Sequence, residues 1–193
     1  GIVAGGFNAG HTNISNCLNT GTINCEYTVD ASVNAAVGGI MGNIANGANY
    51  YVNISNCLSA GRITVKETTA NGKVDYATCV ASTVGCNANK GHTETVDGTS
   101  KTVANVSLRN VIATTNSHAN GFKQGSGAKY TSSNWSLVEN DNDYFSGVEA
   151  YETAARLGIY TNDEKDDTKY WVVKEDGLVG LKTFTDKWID FGW

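Results

Sequence analysis

Proline is absent from the 193 residues, aromatic residues make up 9% and charged residues 17%, and no long apolar run occurs. Each shortage removes a class. A helix that crosses a bilayer needs about 18 consecutive apolar residues, so membrane insertion of that kind is not expected. Lys and Arg number 14 against 19 Asp and Glu, and the cations are dispersed, so nucleic acid is not an expected partner. The three His stand apart at 11, 92 and 118, and the five Cys include no Cys-x-x-Cys, which leaves no zinc pattern. Gly-x-Ser-x-Gly, a phosphate loop and His-Glu-x-x-His are missing too. No catalytic residue, metal or cofactor is therefore expected.

What the chain does have is repetition. Asn13-Ile14-Ser15-Asn16-Cys17-Leu18-x-x-Gly21-x-Ile23 returns as Asn53-Ile54-Ser55-Asn56-Cys57-Leu58-x-x-Gly61-x-Ile63, identical at eight of eleven positions and forty residues later. Small-residue strands precede both, Gly1 to Asn8 and Val37 to Asn43, each followed by a Gly-containing, Asn-rich turn. A third, weaker copy runs from Cys79 to Asn87 and, after a polar insertion, through Asn105-Val106-Ser107-Leu108-Arg109-Asn110-Val111-Ile112. Aligning Asn105 with Asn53 puts Arg109 at the Cys position and gives a spacing of 52. Fixed-interval copies of one small unit bury their apolar faces against one another.

Twenty-two Gly, no Pro and abundant Asn, Thr, Ser and Val describe short strands joined by tight turns that need positive φ. Ile54 and Cys57 are three apart, so a bend or bulge must intervene if both face inward. In copies stacked in parallel, like residues lie about 4.8 Å apart, and Asn side chains can bond as ladders. The eleven Asn between residues 1 and 60 divide between that role and left-handed turn positions.

The pattern Gly-Gly-Ile-x-Gly, a turn, then Ile-x-Asn-Cys-x-x-x-Gly-x-Ile resembles the GLUG-type repeats of bacterial surface proteins over residues 1 to about 116, best over 37 to 63. In the third copy Arg109 replaces Cys and the following Gly is missing. The resemblance implies an all-β chain, a right-handed parallel β-helix or related solenoid, in secreted or cell-wall-attached proteins of gut-type bacteria. It implies stalks, spacers and adhesive surfaces, not catalysis. Residue 1 is already strand-like and no export leader is read, so a longer parent is expected.

Residues 130 to 193 differ. They carry thirteen acidic and six basic residues against six and eight in residues 1 to 129, and all four Trp. The expected division is a repeat region, 1–129, and a C-terminal segment, 130–193. Ser146-Gly147-Val148-Glu149 is a capping box with Phe145 and Ala150 as its staple, and it predicts a short helix over 147 to 157 closed by Gly158. Tyr170 to Val173 and Leu178 to Leu181 flank Lys174-Glu175-Asp176-Gly177, whose Asp-Gly predicts a hairpin. The segment also resembles the closing segment of GLUG-type proteins, with Gly180 where Pro is usual, and that implies a small α+β cap. Capping covers the open end of stacked strands. Trp171, Phe184 and Trp188 are expected in the cap's own core.

Cys17 and Cys57 share a repeat position, and side chains stacked in parallel do not favour a disulfide, so buried free thiols are expected. Cys79 and Cys86 can pair across a turn or simply pack, and Cys25, facing Val65 in the second copy, reads as apolar filler. The Asn-x-Ser sequons at 13, 53, 105 and 134 mostly follow from the repeat. Asp141, Asp143 and Glu152 imitate a calcium loop, but Phe145 and Ser146 break it.

Two functions follow. The first is a non-catalytic extracellular adhesin or spacer module of a bacterial cell surface, facing carbohydrate, a host surface protein or a neighbouring domain. Its exposed loops would be Lys90 to Thr102 and Asn120 to Lys129, and its aromatic platform Tyr50-Tyr51, of which strand alternation turns one inward. The second is a β-helix lyase or glycosidase, whose least implausible residues are Asp75, Lys73 and Arg109.

Overall fold

The computed structural model describes residues 2–3, 5, 9–29, 36–69, 74–75, 79–115, 117–138, 160–161, 171–173 and 179–181. These form strands and turns, with no helix among them. The first copy holds β1 (Ala9–Ser15), β2 (Leu18–Asn19) and β3 (Ile23–Val29). The second holds β4 (Ala36–Gly38), β5 (Met41–Ile44), β6 (Asn49–Ser59) and β7 (Ile63–Thr69), followed by β8 (Val74–Asp75). The third holds β9 (Cys79–Ala81), β10 (Val84–Asn87), an inserted hairpin of β11 (His92–Val96) and β12 (Thr99–Val103), and β13 (Val106–Thr114). A fourth holds β14 (Phe122–Gln124) and β15 (Thr131–Val138). Beyond it lie β16 (Tyr160–Thr161), β17 (Trp171–Val173) and β18 (Val179–Leu181).

Corresponding strands of successive copies pair in parallel. The main sheet runs β1, β6, β13, β15, with β2 also on β6. A second sheet runs β14, β10, β5, a third β3, β7, β8, and a fourth joins β4 to β9. Ala9 faces Asn49 and Ile23 faces Ile63, which is the forty-residue displacement legible in the sequence. The third copy is displaced 43 residues at Met41–Val84 and 54 at Asn53–Ser107, and the hairpin lies between those two points.

Of the bend or bulge expected between Ile54 and Cys57, the structure shows a bend that every copy shares in register, and it is made by asparagine. Both side chains are fully buried, and Asn56 between them has φ +52°. Asn16 (+52°), Asn110 (+50°) and Asn134 (+55°) repeat that conformation in the other copies. An L residue pays about 1–2 kcal/mol to enter this region, and Asn does so more readily because its short amide bonds locally. The amides also bond between copies: Asn110 Nδ2 donates to Asn56 Oδ1 at 2.9 Å, and Asn134 Nδ2 to Asn110 Oδ1 at 3.1 Å. A second, exposed column links Asn53 Nδ2 to Asn13 Oδ1 (2.9 Å) and Ser107 Oγ to Asn53 Oδ1 (2.7 Å).

This column corrects the alignment of the third copy. Ser107, not Asn105, faces Asn53, Arg109 faces Ser55, and Val111 takes the Cys57 position. The positive-φ Asn and the apolar residue after it must superpose, and only this register places both. The core is built by the same rule: Ile14, Ile54 and Leu108 form one inward row, and Cys57, Val111 and Trp135 another. Each large aliphatic side chain so buried contributes roughly 1.5–3 kcal/mol. The row through Trp135 belongs to β15, so the parallel sheet runs beyond the boundary expected at 129 and 130.

All five thiols are free. Burial pushes Cys17 up, and it pushes Cys57 up to about 12, so both are protonated packing groups at neutral pH. Cys86 is raised to about 11 by burial and by its bond with the Cys79 thiol. Cys25, opposite Val65, packs partly buried near Ile63. In the tail, β17 and β18 pair antiparallel with Trp171 facing Leu181, the hairpin expected there. The helix expected over 147 to 157, and Phe184 and Trp188, lie outside the described residues.

The repeat glycine shows how close the copies come. A Cβ on Gly61 would fall 2.2 Å from the Gly21 carbonyl oxygen, whereas one on Gly21 would meet nothing nearer than Asn19 Oδ1 at 3.9 Å. Gly61→Ala is thus expected to cost several times more stability than Gly21→Ala in urea denaturation, and equal effects would contradict the register. Asn110→Ala should lose about 2–3 kcal/mol, from two amide bonds and the left-handed backbone, with Asn110→Gly recovering about 1 kcal/mol of it.

Candidate functional site

Strand alternation and register together place four rows of side chains on the outer face of the main sheet. His11 lies beside Tyr51, Asn13 beside Asn53 and Ser107, and Ser15 beside Ser55, Arg109 and Ser133. The bend amides of Asn16, Asn56, Asn110 and Asn134 close the set. Ahead of the left-handed Asn, odd-numbered residues of β1, β6 and β13 point out, as the alternating burial of Asn49 to Ser55 shows, and beyond it Cys57 and Val111 turn inward.

The register turns the two rings of the expected Tyr50-Tyr51 platform to opposite sides of the sheet. Tyr50 is 1% exposed and its hydroxyl shares a 3.1 Å hydrogen bond with Thr12 Oγ1, so it belongs to the core and cannot receive a ligand. Tyr51 faces outward. Its ring stacks on His11, with centroids 4.8 Å apart and planes 9° from parallel, and His92 meets it edge-on at 5.6 Å. The forty-residue repeat already sets His11 beside Tyr51, whereas His92, on the insertion, has no sequence signal for this role.

His92 fixes the base of the hairpin. Asn105 is buried and gives its amide hydrogens to the carbonyls of Gly47 (3.2 Å) and Ala48 (2.9 Å), so its Oδ1 is left to accept from His92 Nδ1. The other ring nitrogen, Nε2, faces Glu94 Oε1 at 2.7 Å. Acceptors on both sides favour the imidazolium, which has two N–H donors. Glu94 first, and then Asn105, accordingly raise His92 above its ordinary 6.5. Buried Asn89 completes the anchor, donating to the carbonyls of Ala45, Gly47 and Tyr50 and accepting from Gly91 N–H.

Lys90 to Thr102, expected as a loop, is thus largely an antiparallel ribbon. Asp97 (φ +51°) and Gly98 (φ +74°) make the type I′ turn that joins its strands, the same Asp-Gly signal read in the tail. Asn120 to Lys129 contains β14, which pairs in parallel with β10 and so continues the copies. Of the residues considered for polysaccharide cleavage, Asp75 is in the sheet of β7 and β8 and Arg109 in the main sheet, while Lys73 lies outside the described residues. Among the described residues no group of three or more His, Cys, Asp or Glu could hold a metal ion, and no helix is long and apolar enough to cross a membrane. Comparison with family models finds no match, and none is found among curated proteins or solved structures.

The folded-state pKa of His92 lies above 6.5, so its contribution to stability is complete below about pH 6.5 and is lost as pH rises through the raised value. An NMR titration should find His92 above 6.5 and His118, which burial lowers, below it. Glu94→Gln should bring His92 down. Hydrogen exchange of the β11 and β12 amides should quicken above the His92 transition, and a transition below pH 6.5 would contradict the anchor.

Proposed function

We propose that this chain is a non-catalytic binding and spacer module of the GLUG-type surface proteins, built as a right-handed parallel β-helix. Supporting the architecture are the constant forty-residue displacement in two separate sheets and the like-on-like rows of Asn and aliphatic side chains. The role proposed is extracellular adhesion at a bacterial cell surface, with carbohydrate as the partner.

One observation carries the ligand class. The outward stack of His11 on Tyr51 adjoins rows of Asn and Ser, so an aromatic surface lies next to uncharged donors and acceptors on a regular sheet. Sugars combine an apolar ring face with a fringe of hydroxyls, and that combination matches such a surface. The enzymatic alternative has less support, because Asp75 and Arg109 belong to different sheets.

Glycan arrays followed by calorimetry on the intact chain test the proposal. Tyr51→Ala should weaken binding about tenfold or more, the loss expected for a central aromatic anchor. Tyr50→Phe should leave affinity unchanged, because that side chain only packs. Absence of binding to every carbohydrate by the wild type would end the glycan reading.

A further inference from the structure

We infer that the outer face of the main sheet takes an acidic oligosaccharide, with one sugar ring on the His11–Tyr51 stack and a carboxylate or sulfate on the Arg109 guanidinium. The inference rests on the glycan reading above and names the ligand's charge and orientation.

Charge distribution carries it. In β1, β2, β6, β13 and β15 the only formally charged side chain is Arg109. It is exposed, and its neighbours on either side in the sheet are Ser55 and Ser133. Serine side chains on both neighbouring strands are too short to cover the planar fork of an exposed arginine. That fork matches a carboxylate or sulfate with two parallel hydrogen bonds. Among the described residues no carboxylate stands on these strands to repel an anion. On the insertion, Glu94 is turned to His92 at 2.7 Å.

Position sets the orientation. Arg109 pairs with Ser55, four residues along β6 from Tyr51, and side chains two residues apart share a face. Four residues of strand span about 13 Å, and the step from β6 to β13 adds about 4.8 Å across. Aromatic surface and cation are thus separated by the length of a short oligosaccharide, not of a single sugar. Between them lie the Asn13, Asn53 and Ser107 side chains, available to ring hydroxyls. A linear chain would lie along the strand direction with its acidic unit toward the bend asparagines.

Two pairs of probes separate charge from shape: oligogalacturonate against its methyl ester, and a sulfated galactan oligosaccharide against its desulfated form. Isothermal titration with the intact chain at low salt should favour at least one charged member over its neutral partner by about tenfold, the order expected of one hydrogen-bonded charge pair. Which pair responds distinguishes carboxylate from sulfate. Arg109→Gln should abolish that preference while keeping the neutral affinity and the melting temperature, Arg109→Lys should restore part of it, and added salt should reduce it. Tyr51→Ala should weaken charged and neutral probes alike. Equal affinity for both members of both pairs, or a preference unchanged in Arg109→Gln, overturns the inference and leaves the glycan reading in place. Binding of no probe and no other carbohydrate overturns both.

Discussion

A single left-handed residue in each copy governs the rest of the fold. A regular strand cannot turn Ile54 and Cys57 to the same side, and the residue whose left-handed backbone makes it possible is Asn56 at φ +52°. Once one copy carries that bend, its neighbours must carry it at the same height, or the parallel hydrogen bonds on either side fall out of step. Asn16, Asn56, Asn110 and Asn134 satisfy the demand four times. At Asn56, Asn110 and Asn134 the amide meets two needs at once, since it eases the unusual backbone and bonds the neighbouring copy in the column.

From that pinned height follow the other features. Aliphatic side chains meet aliphatic side chains across β1, β6 and β13 because their offset from the bend is constant. The outer face inherits the same order, so polar rows are continuous and an aromatic residue in one copy stacks on its counterpart. The inserted hairpin can be long because it leaves and returns between β10 and β13, where Asn89 and Asn105 tie it to the turn of the preceding copy. Insertion changes the count of residues without changing the register of β13.

Much of this was legible in the sequence. Eight identities in eleven residues set the first register, and the three-residue gap between Ile54 and Cys57 requires a bend or bulge. The third copy sits two positions away from its sequence alignment because Asn105-x-Ser107 imitates Asn53-x-Ser55, whereas the structural signal is the Asn followed by an apolar residue, Asn110-Val111. Asn105 instead became a buried peg, a role that depends on carbonyls 57 and 58 residues away and leaves no local pattern. The Tyr50-Tyr51 pair was ambiguous for a related reason: alternation says that one faces inward, but only the register says which. The ribbon at Asp97-Gly98 did carry a turn signal, hidden by the polar composition of its two strands.

Both outward columns of side-chain bonds run one way. Asn53 donates to Asn13, Ser107 to Asn53, Asn110 to Asn56 and Asn134 to Asn110, always toward the earlier copy. The rows therefore have a sense, like an arrow. At one terminus of the array the side chains have hydrogens to give, and at the other they have oxygens to offer. Two such arrays brought together by like termini would set donor against donor or acceptor against acceptor, while opposite termini match. Polarity of this kind discriminates between orientations of contact without any charged residue.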